Sequence, residues 1–157
     1  MKLYQLMLNN TPVSDWDNIF FLEATLWSRR SHDRQTQCGC VLVKDKTPLS
    51  EGYNGFIRDI DDEVLPKVRP FKYPFMIHAE ANAIYNCARQ GRSTLGSTAY
   101  ITASPCCNCL QMLYQCGVKE IVFSDISSPK MNIWNGDYDQ ILELIGDKIQ
   151  LRFIPKT

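Results

Sequence analysis

Two short motifs constrain this chain more than anything else in it: His78-Ala79-Glu80 and Pro105-Cys106-Cys107-Asn108-Cys109. The Ala-rich run over 78–90, closed by Gly91, predicts a helix. So does 106–115, ended by Gly117. Cys106 and Cys109 stand at i and i+3, so both thiolates face one point in the first turn of their helix. A helix N-terminus favours negative charge and lowers thiol pKa values, which helps form the ligating species. Pro105 precedes that turn, where its missing N–H costs little. His78 and Glu80 lie two residues apart, about 200° around a helix. Both can serve one ion only if it sits off the helix end. The two spacings together require a fold in which two helix N-termini converge on one metal.

One His and two Cys make three protein ligands, the number found at a catalytic zinc that keeps its fourth position for water. Such an ion brings the pKa of water toward about 7. Glu80 is then available to move protons. A closed structural site needs a fourth protein ligand, and Cys107, the nearest candidate, points away from the shared face. Taken singly, a C-x-x-C pair or one histidine more often marks a structural zinc, an unrelated thiol or a core residue. Taken together, each at a predicted helix start, the motifs match the H-x-E and P-C-x-x-C signature of zinc-dependent nucleobase deaminases.

The other four cysteines, Cys38, Cys40, Cys87 and Cys116, fall in predicted strands or helices and read as small buried residues. Seven cysteines is an odd and high number for 157 residues. Residues 1–10 do not form a secretory signal, and no stretch approaches the roughly 20 apolar residues of a membrane helix. We therefore expect a reducing cytoplasm, the cell's own or a host's, where clustered cysteines mean metal or catalysis. Apolar residues make up 45% of the chain, enough for one core. The expected organisation is an N-terminal extension over 1–13, either a disordered tail or a subunit contact, and a single domain over 14–157. Lys plus Arg equals Asp plus Glu at 17 each, which argues against a broad basic face for nucleic acid. A small anionic ligand needs only a few local cations.

Ser14 and Asp17 form a capping box for a helix over 16–30, whose stripe of Phe20, Phe21, Ala24 and Trp27 reads as core packing rather than a cofactor box. An apolar run at 38–43 can pair with 49–53 as a hairpin. Residues 57–73 form a polar, Pro-containing loop of the length often used for function. Its acids Asp59, Asp61, Asp62 and Glu63 read as a solvated face. Strands at 98–102, 121–124 and 149–154, with a helix at 138–145, complete an alternation that predicts a mixed sheet flanked by helices.

Beyond the zinc motifs, the landmarks are Arg30-Ser31-His32-Asp33, Gln37 to Val43, Gly52-Tyr53-Asn54-Gly55, Lys72-Tyr73-Pro74, Asn82-Ala83-Ile84 and Phe153-Ile154-Pro155-Lys156. From about residue 16 onward the chain resembles the deoxycytidylate (dCMP) deaminases of the cytidine deaminase-like superfamily. The zinc motifs define that superfamily, while Gly-Tyr-Asn-Gly and His-Ala-Glu-x-Asn-Ala-Ile point to the dCMP branch.

The resemblance implies a three-layer α/β/α fold around a five-stranded mixed sheet in the order 2-1-3-4-5. It implies one zinc ion per chain on His78, Cys106 and Cys109, with Glu80 as proton shuttle, and a homo-oligomer, commonly a hexamer. The implied reaction converts dCMP and water to dUMP and ammonia, feeding thymidylate synthesis. It assigns Asn54 to the sugar-phosphate part of the substrate, although Asn-Gly is also a hairpin signal in its own right. Arg30 and Lys72 are candidate cations for the 5′-phosphate, and Ala79 and Ser104 complete the substrate-binding candidates.

After Gly55 the chain reads Phe56-Ile57-Arg58-Asp59, without the Pro and Gly that allosterically regulated relatives carry. This argues against activation by dCTP and inhibition by dTTP. The second zinc cluster of some viral members has no obvious counterpart. Two other classes stay open. One is a related deaminase acting on cytidine, deoxycytidine, dCTP, guanine or tRNA adenosine, although zero net charge counts against tRNA. The other is a non-catalytic zinc-binding module, against which Glu80 speaks, since a structural site has no use for an unliganded carboxylate.

Overall fold

A computed structural model of the chain describes residues 8–9, 12–124 and 135–154. Its elements run β1 (Leu8–Asn9), α1 (Asp15–Ser28), β2 (Gly39–Lys44), β3 (Thr47–Tyr53), a 3-10 turn (Asp62–Val64), α2 (Ala79–Gln90), β4 (Thr98–Ile101), α3 (Cys107–Gln115), β5 (Glu120–Phe123), α4 (Asn135–Ile145) and β6 (Gln150–Phe153). Five strands form a mixed sheet in the order β3-β2-β4-β5-β6, which is the expected 2-1-3-4-5, and β1 adds a sixth at the β6 edge. The hairpin β2–β3 and the pair β2–β4 are antiparallel, while β4, β5, β6 and β1 run parallel. Of residues 1–13, only 8–9 and 12–13 are described, and the landmarks Pro155 and Lys156 lie outside the described residues.

Period-2 alternation sorts the strand side chains into two layers. Cys40, Leu42, Ala99, Ile101, Ile121, Phe123 and Leu151 enter one core with residues of α2, α3 and α4. Val41, Val43, Tyr100 and Val122 enter another with Phe20 and Ala24 of α1. Both faces of β2 are therefore covered, which is why its sequence is apolar without alternation.

Helix α1 begins with the expected capping box: Asp17 N–H donates to Ser14 Oγ, and Ser14 N–H donates to Asp17 Oδ2. The predicted stripe needs one correction. Phe20 and Ala24 are buried, but Trp27 is 38% exposed and stacks on Tyr53, ring centroids 6.3 Å apart. A helix packed on a sheet by one narrow face leaves residues at its rim for the surface.

The hairpin signal at Asn54-Gly55 is also overturned as a turn. The β2–β3 connection is Asp45-Lys46, both with positive φ of 52° and 58°. Asn54 instead closes β3, and the long loop that follows returns to its own start. Gly55 and Ile77 pair in an antiparallel bridge, with N–H to O distances of 3.0 and 2.8 Å. This bridge delivers the chain to His78 beside the end of β3. Among the described residues, no helix is long and apolar enough to cross a membrane.

Candidate active site

Helix α2 starts with His78 as its N-cap, and α3 starts with Cys106 as its N-cap. Two helix N-termini thus meet, as the spacings required. Sheet geometry explains why: α2 and α3 follow β3 and β4 and pack on the same face. Helix α2 is fastened to β3 by Ser50 Oγ–H to Ala83 O at 2.7 Å, Asn82 Nδ2–H to Tyr53 O at 2.8 Å and Asn86 Nδ2–H to Glu51 O at 2.7 Å. It lies so close that a Cβ on Gly52 would stand 2.3 Å from Ala79 O and 2.4 Å from Ala83 N.

At the junction, His78 Nδ1 is 3.6 Å from Cys106 Sγ and 3.4 Å from Cys109 Sγ. These three atoms form a group able to hold a metal ion. A tetrahedral zinc with Zn–N near 2.0–2.1 Å and Zn–S near 2.3 Å places its nitrogen and sulfur ligands about 3.5 Å apart. The donor set and spacing therefore fit zinc. Both cysteines are buried while His78 keeps an exposed edge. Cys107, one position into the helix, is not in the group.

The electrostatics favour metal ligation. Hydrogen bonding from the Cys109 thiol, aided by His78 and opposed by burial, holds Cys106 down to about 4. The same bond, together with burial and the nearby Glu80 charge, pushes the Cys109 thiol up. The backbone N–H of Cys109 also donates to Cys106 Sγ at 3.3 Å. One thiolate thus forms readily, and a cation replacing the remaining proton completes the pair. Deeper in the sheet, burial drives the Cys40 thiol well up, with Glu80 contributing. It is a neutral core group.

A cleft opens beside this junction, lined in part by His78, Ala79, Glu80, Ala103, Ser104 and Cys106. Glu80 is 4% exposed, one residue past the start of α2. The rest of the lining comes from loops: Asp33, Thr36, Cys38, Asn54, Arg69, Lys72, Tyr73 and Met76. Of the substrate candidates, Asn54, Ala79, Ser104 and Lys72 line the cleft. Arg30 does not. Its guanidinium lies on the exterior against His32, 3.4 Å away, because α1 ends before the loop that forms the wall.

Asp33 organises that wall, a role its place in a polar stretch did not reveal. Its carboxylate accepts both Gln35 N–H and Thr36 N–H, at 2.8 and 3.1 Å, and Lys72 Nζ at 2.9 and 2.7 Å. Burial opposes ionisation of Asp33, but these bonds outweigh it and lower its pKa. Asn54 Oδ1 accepts Cys38 N–H at 2.8 Å, and its Nδ2 donates to Thr36 O at 2.8 Å and Asp33 Oδ2 at 3.4 Å. Arg69 was also missed; only the fold brings residue 69 to residue 36, where its guanidinium donates to Thr36 Oγ1 at 2.8 Å.

The chain belongs to the family described as the cytidine and deoxycytidylate deaminase zinc-binding region, whose model matches residues 14–125. Among its relatives, deoxycytidylate deaminase of Homo sapiens is 34% identical over 116 residues, 69% of this chain and 64% of that protein. The probable deoxycytidylate deaminase of Caenorhabditis elegans is 42% identical over 109 residues, 66% of this chain and 54% of that one. The chain thus spans less than two thirds of either relative. The crystal structure of dCMP deaminase from the cyanophage S-TIM5, in complex with dCMP and dUMP, is similar with a TM-score of 0.70 and 25% identity, covering 93% of this chain and all of that one (100%).

Proposed function

We propose that the chain deaminates dCMP hydrolytically, giving dUMP and ammonia and so supplying thymidylate synthesis. The observation that carries this is the His78, Cys106 and Cys109 triangle with a fourth group, the buried Glu80, beside it in one cleft. Bound there, zinc supplies a nucleophile from water at neutral pH. Glu80 accepts a proton at the cleft and passes it to cytosine N3, which makes C4 electrophilic. The water oxygen adds to C4, and Glu80 carries the remaining water proton to the 4-amino group, so that the C4–N bond breaks and ammonia leaves. One carboxylate alternating between two protonation states serves both transfers.

Ala79 and Ser104 border the base beside Glu80. Asn54 is the sugar-side residue: its Nδ2 hydrogens are committed to the wall, and one lone pair of Oδ1 is left to accept a sugar hydroxyl. Lys72, held on Asp33, stiffens that wall. Residues 14–157 act as one deaminase domain, with 1–13 as an extension. The copies assemble into a homo-oligomer, for which the resemblance implies a hexamer, and work in a reducing cytoplasm. Exposed apolar residues along α1 (Trp16, Ile19, Leu22 and Leu26) support assembly, and seven cysteines outside any disulfide support the compartment.

The test is ammonia release from dCMP, deoxycytidine, dCTP, CMP and guanine, with wild type and Glu80→Ala side by side. We expect dCMP to be the best substrate and the variant to hold zinc without turnover. Bound zinc with no turnover of any cytosine substrate would defeat the proposal. Adding dCTP and dTTP to the same assay should change the rate little.

A further inference from the structure

We propose that Arg69 reads the 5′-phosphate and thereby sets the preference for nucleotide over nucleoside; this rests on the cytosine-deaminating role proposed for the cleft. Three cations compete for that task, and the structure separates them. Lys72 lines the cleft, but its side chain is 3% exposed and its ammonium is closed onto both oxygens of Asp33. Its charge is compensated before a ligand arrives. Arg30 is outside the cleft, against His32. Arg69 lines the cleft, is exposed, and among the described residues has no carboxylate within ion-pair distance.

Its placement is also fixed in a way that suits an anion. Gln35 Oε1 accepts the Arg69 backbone N–H at 3.0 Å, and Thr36 Oγ1 accepts one guanidinium N–H at 2.8 Å. Both partners are neutral, so the guanidinium is oriented without being neutralised. Its other N–H groups keep the fork geometry that matches phosphate in a bidentate contact. Thr36 also ties Arg69 to the sugar-side residue, since Thr36 O accepts Asn54 Nδ2–H. One short loop, Asp33 to Thr36, therefore sets the distance between the sugar-side and phosphate-side groups. Glu80, His78 and Cys106 line the same cleft as Arg69.

The experiment compares zinc-loaded wild type, Arg69→Ala, Arg69→Lys and Arg30→Ala. Steady-state kinetics are run on dCMP and deoxycytidine, and calorimetry measures dUMP and deoxyuridine binding. In Arg69→Ala we expect the dCMP-over-deoxycytidine ratio of kcat/KM to fall about 10- to 100-fold, mostly through KM, as for loss of a hydrogen bond to a charged group. Binding of dUMP should weaken by a similar factor, and Arg69→Lys should recover part of both. Equal losses on both substrates, or a ratio that falls in Arg30→Ala but not in Arg69→Ala, would overturn the assignment. If wild type turns over neither substrate, the deaminase reading fails, and the dUMP titrations still decide the role of Arg69.

Discussion

His78, Cys106 and Cys109 come from two caps and one first turn, so each ligand is held by helix geometry rather than by a flexible loop. Removing one should act on metal before anything else. We expect Cys109→Ser to lower zinc content measured on the purified protein, with the melting temperature falling toward that of chelator-treated wild type. A variant that lost activity with full zinc and unchanged melting would contradict the ligand role. Asn54 makes a different prediction at the same scale. Asn54→Ala strips partners from Cys38 N–H and Thr36 O, and each buried group left unmet costs about 1–3 kcal/mol. Urea unfolding should show that loss. The candidate metal donors were legible in the sequence because helix starts and the i, i+3 spacing of Cys106 and Cys109 are local features. Arg69 and Asp33 were not, because their roles depend on partners (residues 36 and 72) that the chain meets only after folding.

Glycine at position 52 controls how closely α2 approaches β3, and through α2 the position of His78 and Glu80. A methyl group there would meet helix backbone at 2.3 and 2.4 Å, contacts that no rotamer change relieves. Gly52→Ala should destabilise by about 1–3 kcal/mol or more, and should lower kcat even where the protein remains folded. Thermal unfolding and steady-state kinetics on the same sample check both effects; a stable, fully active variant would show that α2 can shift at no loss. The cap of α1 is a milder case, with Ser14→Ala expected to cost about 1 kcal/mol. Every helix and strand of the five-stranded sheet was visible from periodicity and punctuation. The tight turn was not: Asp45 and Lys46 adopt positive φ without glycine, while Asn54-Gly55, the stronger local signal, is used to end a strand.

Across the whole molecule, one buried cluster joins distant parts of the chain. Asp17 on α1 accepts the Tyr100 hydroxyl at 2.7 Å and two Arg152 N–H groups at 2.8 Å each, and Arg152 reaches Glu120 at 2.7 Å. Burial disfavours the Asp17 carboxylate, yet Arg152, Ser14 N–H and Tyr100 outweigh it and hold its pKa well below the usual range. A depressed folded pKa means stability that is fully present above the unfolded value, about 3.9, and is lost as pH falls below it. Asp17→Asn should therefore destabilise by about 1–3 kcal/mol at pH 7 by removing one of the two carboxylates that Arg152 bonds. The gap from wild type should narrow near pH 3. Urea titrations at both pH values test this, and a pH-independent gap would remove Asp17 as its source. Asp17 looked like a capping residue alone, since the cap is local and Arg152 is 135 residues away. The same division runs through the protein. By itself the sequence determined the three candidate metal donors, the helix ends that carry them and the strands of the sheet, because these depend on spacing along the chain and on periodic burial, while the order of those strands came only from the family resemblance. Only the tertiary structure decided which cations face the cleft, which are spent on a buried carboxylate, and how closely α2 sits on β3, because those depend on distances between segments whose separation in sequence carries no information about their separation in space.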